Sequence, residues 1–193
     1  MPPARLDRFA ESRGAAVLAF TWGWAEASFL FLVPDVLLTL SACRSLRRAA
    51  HLAVLALAGA IMGGAMMYGC GARSPERARS FLSAVPGIDS ALLDRVRSQI
   101  DRHGLTSVMI GPARGIPYKI YAVEWGARRG GLAVFLLVSV PARLLRFFLT
   151  ALIARATATA LAGWTRRRPA VELALWGAAW TAFYAVYFSL MGW

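Results

Sequence analysis

The sequence predicts an all-α integral membrane protein with two re-entrant helical hairpins, about three transmembrane helices and one amphipathic interfacial helix. Three observations carry this. Of the 193 residues, 58% are hydrophobic and the mean hydropathy is +0.53, above the roughly 45–50% apolar content of a soluble domain. The apolar residues fall in long runs separated by short arginine clusters such as Arg44, Arg47, Arg48 and Arg166, Arg167, Arg168. Two of those runs are broken by proline and glycine at the places where they also carry charge. The chain is read as one membrane domain, 1–193.

The basic clusters explain the net charge of +12. Short arginine loops between apolar runs match anionic lipid headgroups. No nucleic-acid-binding motif accompanies them, so nucleic acid is not expected as a partner. The N-terminal stretch carries Arg5, Arg8 and Arg13 ahead of an apolar run, as a signal peptide does. That run is longer than a signal sequence and contains Glu26 and Asp35, which favours retention in the membrane.

The first apolar segment, 14–42, is broken at Pro34 and Asp35. Its roughly 29 residues are long for one crossing and short for two, and basic residues flank both ends, so it is expected to enter and leave on one face. Segment 52–70 is nearly all Ala, Leu, Gly and Met and is the clearest span, with Gly59, Gly63 and Gly64 offering a face for close helix approach. From 89 to 103, Leu92, Leu93, Val96 and Ile100 recur at helical spacing among charges, predicting an amphipathic helix with an N-cap at Asp89 or Ser90. Segment 104–126 holds Gly111, Pro112, Arg114, Gly115, Pro117 and Lys119 near its centre and is read as the second hairpin. Segments 131–161, with Pro141, Arg143 and Arg146, and 171–191, rich in Trp and Tyr, are the remaining spans.

Charges at membrane depth need partners, since an isolated one costs on the order of 3 kcal/mol. Glu26 and Asp35 lie in the first broken segment and Arg114 and Lys119 in the second, so pairing across two facing hairpins is expected. Where breakers unwind a helix in a membrane, the freed backbone groups must line a cavity or be buried in protein, and such discontinuities build substrate sites. Cations at half-helix N-termini favour an anionic headgroup such as phosphate. Lys119, the single lysine beside 21 arginines, points to a compact ammonium. Arg143 and Arg146, three apart on one helix face, either extend the cationic wall or snorkel to an interface. Glu124 and Glu172 are expected at interfaces, and Trp176, Trp180, Tyr184 and Tyr187 are read as packing and belt. Cys43, Cys70, His51 and His103 carry no metal or redox pattern, and soluble-enzyme motifs are missing, so neither an enzyme nor a cofactor is expected.

At these residues the chain resembles the DedA family, also called SNARE-associated or VTT-domain membrane proteins. Glu26-Ala-Ser-Phe-Leu-Phe-Leu-Val-Pro34-Asp35 looks like the family's glutamate followed by a proline and a second acidic residue at a hairpin tip. His103-Gly104-Leu, then Gly111-Pro-Ala-Arg114-Gly-Ile-Pro117-Tyr-Lys119, is similar to its second signature. The likeness covers about residues 15–160. It departs at Val33-Pro34-Asp35, where the family carries a glycine next to the proline, and at Lys119, where it often has arginine.

The resemblance implies a bacterial inner-membrane, multi-pass transporter that moves a lipid headgroup, with undecaprenyl phosphate the leading substrate and proton coupling proposed. On that analogy Glu26 and Asp35 couple protons or gate and Arg114 and Lys119 hold the lipid phosphate; Arg143 and Arg146, by their shared helix face, are candidates to extend that phosphate site, and Pro34, Gly111 and Pro117 are read as the hairpin breakers. The alternatives are a proton-coupled carrier of a small solute and a non-transporting assembly protein. Expected partners are membrane lipids with anionic headgroups, with homo-oligomerisation left open.

Overall fold

A computed structural model describes residues 12–165 and 169–191; the expected basic residues Arg5, Arg8, Arg166, Arg167 and Arg168 lie outside them. The described residues are all helical in their regular structure. Helix α1, Arg13–Glu26, starts at Ser12, whose hydroxyl accepts from the Ala15 amide. A break at 27–34 follows, and α2, Asp35–Arg44, runs back. Helix α3, Leu46–Arg73, extends the expected 52–70 span at both ends: Ser45 caps it and its terminal arginines stay in the helix.

Two short amphipathic helices come next. Helix α4, Pro75–Ser83, begins with proline in its first turn, where the missing amide is not needed. Helix α5, Ser90–His103, is capped by Asp89, whose carboxylate accepts from the Leu92 amide at 2.7 Å. Leu92, Leu93, Val96 and Ile100 are its buried residues, as the spacing predicts. Gly104 ends it with φ +56, a left-handed value that favours glycine.

The second broken segment has unequal arms. Helix α6, Thr106–Ile110, is a single turn, a 3-10 turn covers Pro112–Arg114, and α7, Tyr118–Ala127, is ten residues. Gly115, at φ +83, redirects the chain from the turn into the extended Pro117 that opens α7. Helix α8, Leu132–Thr165, continues through Pro141, and α9 is Pro169–Met191. Helices α3, α8 and most of α9 are long and apolar enough to cross a membrane, which makes this a membrane protein.

Helix α3 is the axis, and small residues let its neighbours approach at backbone distance. A Cβ at Gly59 would collide with the Phe20 carbonyl, one at Gly63 would lie 2.6 Å from the Trp24 carbonyl, and one at Gly23 would strike the Ala56 backbone. Contacts that rise together in both helices mean that α1 and α3 run parallel. The first break is level with the middle of α3, because Gly63 faces Ala27 and Ser28. The other half of α3 receives α7: Gly71 meets Val123, Gly126 meets Tyr68, and Gly64 meets the Tyr118 ring. The two breaks therefore meet halfway along α3, one packed on each half.

Helix α8 passes both breaks in the opposite direction. Phe135 stacks on Tyr68 and Tyr118, while Ala151 packs with Ala42 and Ala49 at the far end. Arg155 donates to the carbonyl of Cys43 at 2.9 Å, satisfying the C-terminus of α2 where a cation also suits the helix dipole.

The stripe on α3 has a testable cost. Gly59→Ala forces α1 and α3 apart and should destabilise the protein by about 1–3 kcal/mol. Gly69, whose added Cβ would meet only the flexible end of Arg73 at 3.3 Å, should tolerate alanine without loss. Thermal unfolding in detergent compares the two, and equal stability of both variants would contradict the packing.

Candidate functional site

Between the two breaks, α8 and α9 lies a cavity of about 470 Å³. The first break contributes Glu26, Leu30 and Asp35, the second Ile116 to Lys119, α8 Arg146 and Thr150, and α9 Trp180, Tyr184 and Tyr187. Each ionisable side chain arrives there for a local reason. Glu26 ends α1 just before the chain unwinds, and Asp35 opens α2, where the helix dipole favours negative charge. Lys119 sits in the first turn of α7. Arg143, Arg146 and Thr150 share one face of α8 by their spacing of three and four.

Those positions produce two ion pairs. Arg143 pairs through Nη2 with Oε2 of Glu26, and both residues are buried. The guanidinium also lies over the Tyr118 ring, 4.7 Å from its centroid, and over Phe147 at 5.4 Å, two cation–π contacts in a desolvated place. Arg146 Nη2 donates to Asp35 Oδ2 at 2.7 Å, and Thr150 Oγ1 donates to Asp35 Oδ1 at 2.8 Å. Three buried donors, Nε and Nη1 of Arg143 and Nε of Arg146, find no acceptor among the described residues.

Lys119 pairs differently. Its Nζ donates to the Leu30 carbonyl at 2.7 Å, so the second break grips an unwound carbonyl of the first. Tyr118 donates to Ser139 on α8 at 2.9 Å, and Tyr184 on α9 accepts from the Val33 amide at 2.9 Å. Both Trp176 and Trp180 donate through Nε1 to the Thr39 hydroxyl, at 3.1 and 3.0 Å.

The expected pairing across the hairpins is corrected by this geometry. The carboxylates of the first break are matched by Arg143 and Arg146 of α8, not by Arg114 and Lys119, because the antiparallel course of α8 carries its arginine face past both tips. Neither arginine snorkels to an interface. Glu26, Asp35, Lys119, Arg143 and Arg146 come together, whereas Arg114 is exposed and is not among the cavity-lining residues. The breakers stand where expected: Pro34 precedes α2, Pro117 precedes α7, and Gly111 is held against the Tyr121 hydroxyl, which a Cβ there would overlap. Of the α9 aromatic residues read as packing and belt, Trp180, Tyr184 and Tyr187 also wall the cavity.

A second cluster went unread in the sequence. Glu124, expected at an interface, is fully buried and takes a forked contact from Arg79, Nε at 2.7 Å and Nη2 at 3.0 Å. It also meets Arg128 at 3.0 Å and Arg97 at 3.4 Å. This network ties α7 to α4 and α5 at the end remote from the cavity. Arginines at 79 and 97, each three residues from an acid on its own helix, look like ordinary surface pairs along the chain. Only the fold shows them converging on position 124. Glu172 is half-exposed beside Arg44 at 3.8 Å. Among the described residues, no three His, Cys, Asp or Glu side chains gather as a metal site requires.

Removing one partner of a buried pair leaves the other charge desolvated. Arg143→Ala should lower stability by about 3–5 kcal/mol, and Arg143→Met combined with Glu26→Gln should recover most of it. Chemical denaturation of the three proteins measures this, and a double variant no better than the single one would mean the pair is not what Arg143 supplies. No protein-family model, no curated protein and no solved structure matches the chain.

Proposed function

We propose that this is a multi-pass transporter of an anionic lipid headgroup in a bacterial inner membrane, with both broken segments acting as re-entrant hairpins and a polyprenyl phosphate as the leading substrate. The observation that carries the reading is the charge of the cavity. Lys119 and Arg146 line it with Glu26 and Asp35, and Arg143 lies buried behind, paired with Glu26, so with all five ionised the cluster carries one positive charge in excess at the level where two helices are unwound. A phosphate monoester supplies the missing negative charge and acceptors for Lys119 and Arg146, the two cations that line the cavity. The N-termini of α2 and α7 border the same cavity and add their partial positive charge. The likeness to the DedA signature at Glu26 to Asp35 and Gly111 to Lys119 supports the same assignment.

Transport then works by exchange of partners. An arriving phosphate competes with Asp35 for Arg146 and with the Leu30 carbonyl for Lys119. Protonation of Asp35 or Glu26 weakens the carboxylate's hold on its arginine and favours loading, and deprotonation restores the ion pair and favours release. Uptake of the headgroup and uptake of a proton are thereby linked without a separate proton path. Thr150, which bonds the other oxygen of Asp35, sets the orientation of that carboxylate. Arg114, outside the cavity, is assigned to first capture of the headgroup and not to its central binding.

Reconstituted in liposomes with a polyprenyl phosphate, the protein should move the phosphate between leaflets. Arg146→Ala should slow this roughly tenfold or more, the loss of a charge-assisted contact, while Arg114→Ala has a smaller effect. Asp35→Asn should flatten the dependence of transport on pH. Unchanged rates in Arg146→Ala and Glu26→Gln would make the charges purely structural and end this reading.

A further inference from the structure

Beside the charged cavity runs a second space of different chemistry. Between α8 and α9, and closed from behind by Thr39 and Cys43 of α2, is an apolar groove of about 330 Å³. Ile153 and Leu161 wall it on one side, Leu175 and Trp176 on the other. Groove and cavity adjoin, since Thr150, Trp180 and Phe183 line both. One of the three residues at this boundary, Thr150, is Asp35's own hydrogen-bond partner. The groove's far end reaches Glu172 and Thr165, where Glu172 stands beside Arg44 at 3.8 Å, so charge returns only after the apolar stretch is over.

Nothing charged lines the groove between those ends, so a headgroup gains nothing there and a hydrocarbon chain does. Helix α9 is mostly exposed along this length, with Leu175 and Phe183 at 42% and 50%. Its sparse packing on α8 leaves the groove between them. We infer that this groove holds a hydrocarbon chain of the lipid whose phosphate occupies the adjoining cavity, so that α8 and α9 select for tail as the broken segments select for head. This rests on the reading of the cavity as a phosphate site. It also assigns α9 a role that its bonds to Thr39 and Val33 alone do not suggest: it is the outer wall of the tail slot, pinned at the first break.

The slot has a length that chemistry can probe. From Thr150 to Thr165 the helix rises about 22 Å, and Ala158 stands about 12 Å beyond Thr150. A geranyl chain reaches only about 10 Å, so it ends before Ala158, whereas a C55 polyprenyl chain runs past it. Ala158→Trp blocks the groove from α8 and Leu175→Trp blocks it from α9, so a folding defect in one leaves the other decisive. Leu137→Trp, on an exposed part of α8 away from both spaces, is the control.

Binding of C55 polyprenyl phosphate, geranyl phosphate and inorganic phosphate is measured on the full chain in nanodiscs. Either blocking variant should weaken C55 polyprenyl phosphate by roughly tenfold, through the van der Waals contacts the long chain loses, and leave geranyl phosphate within about twofold. Unchanged affinity for the long chain in both variants, or equal loss for long and short chains in folded protein, would overturn the assignment of the groove. Failure of the unmodified protein to bind either lipid phosphate would overturn the phosphate site itself, and this inference with it.

Discussion

A guanidinium buried among apolar side chains is tolerable only against a carboxylate, and Arg143 meets Glu26 where the two breaks and α8 come together. That requirement organises the middle of the molecule. Arg143 packs over the rings of Tyr118 and Phe147, so the pair sets the height of the first break relative to α8. One turn on, Arg146 and Thr150 take both oxygens of Asp35 and hold the start of α2. Burial of such pairs stabilises little by itself, but breaking one is costly, so they act as a register device for helices that are otherwise interchangeably apolar.

The register would be useless if the helices could not approach. Gly59 and Gly63 admit α1 to one half of α3, and Gly71 with Gly126 admits α7 to the other, so each broken segment is packed on its own half and both end at the midpoint. In lipid, where apolar burial between helices gives little advantage, such close contact and polar bonds are what remains to hold a bundle together. At the base of the second segment, Glu124 gathers Arg79, Arg97 and Arg128 and locks α4 and α5 against α7. At its tip, Lys119 holds the first segment by a backbone carbonyl. The cavity lies between this ion-paired base and the tip that Lys119 ties to Leu30.

Much of this was legible along the chain. Hydropathy and length gave α3, α8 and α9, the prolines gave the breaks, and the spacing of Leu92, Leu93, Val96 and Ile100 gave α5 with its cap. The coincidence of charge and breaker marked Glu26, Asp35 and Lys119. What the sequence could not supply was partnership. Arg143 and Arg146, three apart in one apolar run, read equally as inward cations or as snorkelling ones; only the antiparallel path of α8 decides it. Glu124 reads as interfacial because its three arginines lie on other helices or a turn away. Thr39 and Thr150 carry no pattern at all, being ordinary helix residues until Trp176, Trp180 and Asp35 are brought against them by the fold.

The proposed anion site lies between the two helix breaks and α8. A structure of the protein in lipid nanodiscs supplied with a polyprenyl phosphate tests it most directly. Phosphate density within hydrogen-bond distance of Arg146 and Lys119, with the Asp35 pair loosened, is the predicted result. Phosphate density only at peripheral arginines such as Arg44, with both ion pairs and the Lys119 bond to Leu30 intact, would contradict the account.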